Sequence, residues 1–203
     1  MICIVDYGLG NVQAFSNVYR RLNIDARTAV SARELEGADK VVLAGVGAFD
    51  HAMARLEQSG MRAVLDDLVL GRKVPVLGVC VGMQILGHRS DEGTRRGLGW
   101  IDGSVKRLEA NEEENLCLPH MGWNDVKPAS GNGLFASLEE NAKFYFLHTY
   151  YFQCDDQRDV AAMTSYGSTF ASAICRDNVF GVQFHPEKSH SCGVRLLRNF
   201  AEM

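Results

Sequence analysis

The sequence lacks the features of three large protein classes. No apolar run approaches the roughly 20 residues that span a bilayer, and the first residues predict a strand rather than a signal peptide, because they have no basic start. The formal net charge of −4 provides no basic surface, which argues against a nucleic-acid partner. The six cysteines have no CxxC spacing, which argues against a zinc site. We therefore expect neither a membrane nor a nucleic-acid partner, and no bound metal.

The chain also lacks internal repeats, linkers and low-complexity segments. Its 203 residues are enough for one domain with a full hydrophobic core, so we expect a single domain over residues 1–203. A domain of this size needs no disulfides, and scattered cysteines are typical of reduced core residues. The cysteine pattern therefore predicts a cytoplasmic protein.

The hydrophobic pattern predicts an α/β fold. In the first half, apolar strands alternate with helical spacing, which is typical of βαβ units; the strands are at 1–6, 40–44 and 74–79, and the helices at 12–22, 49–70 (broken near Gly60) and 81–86. In the second half, strand-like runs with short connections predict antiparallel pairing, at 104–108, 142–146, 171–176 and 179–184. A closing helix follows at 191–202. We expect a central mixed, mainly parallel sheet flanked by helices.

One cysteine stands in a context that predicts catalysis. Cys80 is the centre of Gly78-Val79-Cys80-Val81-Gly82, between an apolar strand and a helix, which is the context that a nucleophile turn requires. The small flanking glycines allow the chain to turn sharply, and the following helix directs amide groups at the sulfur and favours the thiolate. The alternative is a buried structural cysteine in a tight turn.

A cysteine nucleophile needs a base, and the base needs a group that orients it. His185 ends the apolar run 179–184, so it also lies at a strand end, and Glu187 follows two residues later. We expect Cys80, His185 and Glu187 to form a catalytic triad. Three other histidines, His51, His88 and His190, are interpreted as surface or core residues.

A glycine turn after the first strand, Gly8-Leu9-Gly10, allows a second interpretation as a dinucleotide site. No third glycine follows at the spacing of that fingerprint, so the turn is weak support for it. We expect no organic cofactor.

Several motifs together resemble those of the class I, triad-type glutamine amidotransferases. They cover nearly the whole chain, in the order Ile4–Asn11, Gly45–Phe49, Gly78–Gln84, Gly97–Trp100, Pro119–Asn124, Phe144–Tyr151 and Phe184–Ser189. The resemblance implies the flavodoxin-like fold of that family and hydrolysis of L-glutamine to glutamate and ammonia. More closely, the chain resembles the glutaminase subunits of imidazole glycerol phosphate synthase, in histidine biosynthesis. Those subunits form a heterodimer with a cyclase subunit, a (β/α)8 barrel, to which the ammonia is channelled.

The resemblance also implies roles for residues outside the triad. The oxyanion hole would be formed by Gly45, Val46, Gly47 and Val81. Glutamine would be held by Gln84, Glu92, His148, Thr149 and Tyr150. The synthase partner would be contacted by Met121, Trp123, Asn124 and Lys188, although Trp123 could equally be a core aromatic.

The sequence departs from the family pattern at two places, and the second leaves the pathway open. Ala44 stands where the family usually has proline, and we hypothesise that it eases the peptide flip that forms the oxyanion hole and so raises partner-free activity. Gly87-His88-Arg89 resembles a paralogous branch that feeds ammonia to enzymes that amidinate bacterial surface sugars. An inactive scaffold of the same fold and a cysteine hydrolase with another substrate are further alternatives.

Overall fold

The computed structural model describes residues 1–109, 116–139 and 142–203. The strands are β1 (Ile2–Val5), β2 (Ala26–Ala29), β3 (Lys40–Gly45), β4 (Val76–Cys80), β5 (Arg89–Ser90), β6 (Gly103–Arg107), β7 (His120–Asp125), β8 (Lys127–Pro128), β9 (Lys143–His148), β10 (Tyr150–Cys154), β11 (Val160–Tyr166), β12 (Ser168–Arg176) and β13 (Val179–Val182). The helices are α1 (Val12–Arg21), α2 (Ala32–Leu35), α3 (Phe49–Gln58), α4 (Arg62–Asp66), α5 (Val81–Gln84) and α6 (His190–Glu202). Within these ranges, no helix combines the length and the apolar character needed to cross a membrane.

The main sheet is mixed, with a parallel half and an antiparallel half. Its order is β2-β1-β3-β4-β13-β12-β10-β6-β5, and β11 and β8 extend it from β12. The first five strands of this order are all parallel, whereas β12 pairs antiparallel with β13, β10 and β11. The predicted fold class is therefore confirmed. β13, which the sequence placed in the antiparallel half, joins the two halves because one of its edges is parallel to β4 and the other antiparallel to β12.

Helices cover the sheet through apolar faces at the expected spacing. In α1, Phe15, Val18 and Tyr19 are buried, three and four residues apart, and the Asn11 side chain caps the helix by accepting a hydrogen bond from the amide of Ala14. The buried positions of α6 repeat at similar spacing, and α6 packs against α1. The break near Gly60 is present between α3 and α4.

The parallel pairing brings three distant segments to one edge of the sheet. Gly45 at the end of β3 is the register partner of Cys80 at the end of β4. On the other side of β4, Val79 is paired with Val182 of β13, so Gln183 and His185 follow at the same edge. Ligands of open α/β sheets bind outside the carboxyl ends of the strands, so this edge is where a site is expected.

A two-stranded ribbon stands apart from the main sheet. It pairs β7 with β9, antiparallel, in a register that sets His120 opposite His148 and Met121 opposite Leu147. Alternation of side chains gives the β7–β9 ribbon one buried face and one exposed face.

Candidate active site

The nucleophile candidate lies on a strained turn. Cys80 has φ 55° and ψ −114°, a conformation that L-residues rarely adopt, and its side chain is only 5% exposed. Such strain costs on the order of 1–3 kcal/mol and persists only where the surrounding structure enforces it. Here a buried strand precedes the turn and α5 follows it at once.

The two glycines that flank this turn allow a close approach of chain segments. A Cβ on Gly82 would lie 1.8 Å from the carbonyl oxygen of Leu43, in the neighbouring strand. A Cβ on Gly78 would lie 2.6 Å from the carbonyl oxygen of Gly82. Both contacts are with backbone atoms, so no side-chain adjustment could relieve them, and this explains the G-x-C-x-G spacing.

The strain at Cys80 predicts an inversion of the usual ranking of glycine and alanine. In most strand positions a protein with glycine is less stable than one with alanine by about 0.5–1 kcal/mol. Glycine, however, accepts positive φ without penalty. We expect Cys80→Gly to exceed Cys80→Ala in free energy of unfolding by about 1 kcal/mol. Urea denaturation measures this, with Cys3→Gly and Cys3→Ala as the matched control in β1, where alanine is expected to be the more stable. The same ranking at both positions would contradict strain at Cys80.

The base candidate is fixed from both sides. His185 donates its amide hydrogen to the carbonyl of Tyr145 (N···O 2.8 Å), and its own carbonyl accepts from the Ser189 hydroxyl (2.6 Å). The turn at Pro186–Lys188 folds the chain back, so that Glu187 Oε1 lies 2.9 Å from His185 Nδ1. Both side chains are nearly inaccessible, at 5% and 3% exposed. The carboxylate of Glu187 therefore orients the ring of His185. The other ring nitrogen, Nε2, remains available for the sulfur of Cys80.

Electrostatics favour a protonated imidazole at this place. Burial lowers the pKa of His185, but hydrogen bonds from the ring to Cys80 and Glu187, with their negative charges, outweigh burial and raise the pKa to about 10. An imidazolium beside a sulfur stabilises the thiolate, which is the nucleophilic form.

Gln183 is a site residue that the sequence analysis missed. Its side chain is fully buried, Nε2 lies 3.8 Å from Cys80 Sγ as a hydrogen-bond donor, and Oε1 accepts from Gln84 Nε2 at 3.1 Å. The available signal was a glutamine inside an otherwise apolar strand end.

Tyr7 was also missed, and it supports the loop after β3. The side chain is 3% exposed, and its hydroxyl has no hydrogen-bond partner among the described residues. A Cβ on Gly45 would lie 2.6 Å from this hydroxyl, so glycine is needed at the start of the loop. Burial, together with the Cys80 charge, raises the pKa of Tyr7, which therefore stays a neutral phenol.

A cavity of about 290 Å³ opens at this edge of the sheet. It brings together most residues that the sequence analysis selected: Cys80, His185, Val46, Gly47, Val81, Gln84, Glu92, His148, Thr149, Tyr150 and Lys188. Pro119 and Leu147 complete the wall. Glu187 and Gly45 lie behind it, against the ring of His185 and at the end of β3 respectively.

Three polar residues of the wall are held by neighbouring backbone. Gln84 donates to the carbonyl of Tyr150 (3.0 Å), and His148 Nδ1 lies 2.8 Å from the same oxygen. Glu92 Oε2 accepts from the amide of Phe49 (2.8 Å) at the start of α3, where the helix dipole favours a negative charge. The cavity thus offers one carboxylate and several fixed donors and acceptors. Among the residues the structure describes, no group of three metal-ligating side chains is found.

The exposed face of the β7–β9 ribbon lies beside the cavity. Met121 and Trp123 are 64% and 47% exposed, and Leu147, 38% exposed, also lines the cavity. Trp123 is therefore not a core residue; its ring stacks on His190 at 5.0 Å. Asn124 lies on the opposite face, where it contacts His120.

Comparisons with known proteins show the family to which the chain belongs. The model of the family "Glutamine amidotransferase class-I" matches residues 4–203. Two solved structures share the fold along 99% of this chain and 97% of theirs: a glutamine amidotransferase (TM-score 0.77, 18% identity) and PurLQS from Thermotoga maritima (TM-score 0.73, 15% identity). The chain belongs to the class I glutamine amidotransferases.

Three relatives define its place in that class. The chain is 56% identical to the imidazole glycerol phosphate synthase subunit HisH of Bdellovibrio bacteriovorus and 51% identical to that of Leptospira interrogans. It is 44% identical to the subunit HisH 2 of Pseudomonas aeruginosa. Each match covers 100% of both chains. Within the class, the chain is therefore a member of the HisH family.

Proposed function

We propose that the cavity hydrolyses the side-chain amide of L-glutamine through Cys80, His185 and Glu187. The observation that carries the proposal is that Cys80 and His185 line one cavity, with Glu187 Oε1 2.9 Å from His185 Nδ1. The thiolate attacks the carboxamide carbon, His185 gives its proton to the departing nitrogen, and ammonia leaves. Water activated by His185 then attacks the thioester on Cys80 and releases glutamate.

The loop after β3 is proposed to stabilise the tetrahedral intermediate. Gly45, Val46 and Gly47 form this loop, and Val81 begins α5 next to the sulfur. Backbone amides aimed at the developing oxyanion are worth about 3–4 kcal/mol each in comparable sites. Val46, Gly47 and Val81 line the cavity on the side of Cys80, which supports this role.

The remaining wall is proposed to hold the amino-acid end of glutamine. Glutamine carries an α-ammonium and an α-carboxylate, so it needs an acid and several donors. Glu92 supplies a carboxylate on the cavity wall, and Gln84, His148, Thr149 and Tyr150 supply polar side-chain or backbone groups of the same wall. No metal or organic cofactor takes part in this chemistry.

The ammonia is proposed to pass to a synthase subunit. Ammonia in neutral water is mostly ammonium, which is not a nucleophile, so the product must be transferred without contact with solvent. The relatives' names favour the histidine pathway, with a HisF-type cyclase, a (β/α)8 barrel, as partner in a heterodimer. The exposed apolar residues Met121, Trp123 and Leu147 beside the cavity, with Lys188 at its rim, are the proposed docking face.

Residues 1–203 would act as one glutamine amidotransferase domain, and the unpaired cysteines fit a cytoplasmic location.

The test is glutamate release by the purified chain, alone and with a candidate synthase subunit. We expect a HisF-type cyclase to form a one-to-one complex and to stimulate hydrolysis. Stimulation only by a sugar amidotransferase synthase would overturn the pathway but keep the glutaminase. Absence of glutamate release with every partner would overturn the glutaminase itself. Glutamate release without any partner also tests the hypothesis that Ala44 raises partner-free activity, and undetectable turnover would contradict it.

A charge on the docking face should weaken the complex. We expect Met121→Asp to raise the Kd for the cyclase roughly tenfold or more, which corresponds to about 1.4 kcal/mol. The matched control is Leu70→Asp, because Leu70 is also exposed (48%) but precedes β4, at the opposite edge of the sheet from Cys80. Titration calorimetry measures both. Equal weakening by the two variants, or by neither, would count against this face.

A further inference from the structure

The buried face of the β7–β9 ribbon carries a row of three polar side chains, Asn124, His120 and His148, of which only His148 belongs to the proposed glutamine wall. Asn124 Nδ2 lies 3.0 Å from the carbonyl oxygen of Ser165 and 3.2 Å from His120 Nε2. His120 Nδ1 lies 2.9 Å from His148 Nε2, and His148 Nδ1 lies 2.8 Å from the carbonyl oxygen of Tyr150. These contacts form an unbroken row from β11 to the wall of the cavity.

The row has only one consistent direction when both rings are neutral. A carbonyl oxygen can only accept, so His148 must donate from Nδ1 to Tyr150. The Nε2 atom of a neutral His148 then accepts, and His120 must donate to it from Nδ1. By the same reasoning His120 Nε2 accepts, and Asn124 donates to it. The orientation of Asn124 is itself fixed, because its Oδ1 accepts from the amide of Asp125 (2.8 Å) while Nδ2 donates to Ser165.

The surroundings bury both rings and keep them neutral. His120 is 2% exposed and lies between the rings of Phe146 and Tyr166, with centroids 4.7 and 4.1 Å away. His148 is 5% exposed. Burial lowers the pKa of His120 to about 4 and, as the main cause, lowers that of His148 to about 3. Neither imidazole carries a charge at neutral pH, as the direction of the row requires.

The same carbonyl connects the row to the nucleophile. Tyr150 O accepts from His148 and also from Gln84 Nε2 (3.0 Å). Gln84 Nε2 in turn lies 3.1 Å from Gln183 Oε1, and Gln183 Nε2 donates towards Cys80 Sγ. A hydrogen-bond network therefore runs from the ribbon, through the cavity wall, to the sulfur.

We propose that Asn124, His120 and His148 are positioning residues that fix the backbone of Thr149 and Tyr150 at the cavity through hydrogen bonds of one defined direction. The proposal rests on the proposed glutaminase. It assigns Asn124 to the interior of the ribbon, with Met121 and Trp123 on the outer face. A synthase partner bound to the outer face of the ribbon would therefore act, through the side chains of the inner face, on the residues that hold glutamine.

The test reverses the direction of one bond. In Asn124→Asp the carboxylate cannot donate, so His120 must carry a proton on Nε2, either as an imidazolium or as the other tautomer, and the second case breaks the bond to His148. We expect the KM for glutamine to rise roughly tenfold with a smaller change in kcat, since the thiolate and imidazole remain in place. Asp125→Asn is the matched control, because Asp125 is the next residue but is exposed on the outer face; its kinetics are expected to stay at wild-type values.

Histidine ¹⁵N NMR provides a readout that a merely structural role would not move. In the wild-type chain at pH 7 we expect His120 and His148 both to be protonated on Nδ1 and unprotonated on Nε2; in Asn124→Asp, His120 Nε2 becomes protonated. Detection of Nε2–H on either ring of the wild type would overturn the row, whatever the kinetics. Wild-type KM in Asn124→Asp would overturn its positioning role.

A second pair of variants keeps the proposal testable if Asn124→Asp does not fold. His120→Asn places an amide donor where Nδ1 was and is expected to keep most of the affinity for glutamine, whereas His120→Phe keeps the ring packing and loses the donor. A KM in His120→Asn no better than in His120→Phe would contradict the proposal. Absence of activity in the wild type would overturn the proposed function instead, and the NMR result would still decide on the row.

Discussion

Replacement of Cys80 by alanine is expected to lower glutamine hydrolysis by about 10⁶-fold, the loss that follows removal of a triad nucleophile. The sulfur is the atom that forms the thioester, and neither the oxyanion loop nor the glutamine wall can replace it. Glutamate release in steady state measures the loss, with the cyclase present so that the wild-type rate is high. Glutamine binding and the complex with the cyclase are expected to remain, because the variant removes only a small buried side chain.

A buried cysteine away from the cavity gives the matched control. Cys154 in β10 is 6% exposed, and burial with nearby carboxylates raises the pKa of its thiol to about 12, so it is an inert core residue. We expect Cys154→Ala to keep wild-type turnover. If Cys80→Ala kept turnover as well, the triad would be wrong, and another nucleophile would have to carry the hydrolysis.

The fold could be predicted where strands are buried on both faces. β1, β3, β4 and β13 are mostly apolar runs, and the alternation of the first three with helices indicates a parallel sheet. β2 was missed because its sequence, Ala-Arg-Thr-Ala, lies at the edge of the sheet and is only partly buried. β7 was missed for a related reason, since its alternating exposure mixes histidine, glycine and asparagine with apolar residues.

The site could be predicted where a motif depends on short spacing. Cys80 between two glycines, and Glu187 two residues after His185, are local patterns with a local physical cause. Gln183, Tyr7 and His120 act through contacts between segments far apart in the chain, such as the approach of Gln183 to Cys80. No spacing along the chain indicates such pairs. The register of β4 and β13 brings Gln183 to Cys80, and the register of β7 and β9 sets His120 opposite His148.

Glu187→Gln is expected to lower kcat by about 10²- to 10⁴-fold, by analogy with amide substitution of the orienting acid in other triads. The substitution keeps the shape of the side chain, and Glu187 Oε1 is 2.9 Å from His185 Nδ1, so the geometry is expected to survive. The loss comes from the missing charge, which no longer stabilises the imidazolium, and from an amide that can also present its NH2 group to the ring. Glu202→Gln is the control, because Glu202 is 62% exposed in α6 and pairs only with Arg198 among the described contacts.

The same variant should change how stability depends on pH, and the sign follows from His185. Its pKa is raised from the ordinary 6.5 to about 10, so the folded chain keeps a proton that the unfolded chain releases. The resulting stabilisation is fully present below about pH 6.5 and is lost as the pH rises from 6.5 to 10. Glu187→Gln removes one cause of the raised pKa, so its free energy of unfolding should approach that of the wild type across this window. A gap between the two proteins that stays constant from pH 6.5 to 10 would mean that the carboxylate does not stabilise the imidazolium in the folded chain.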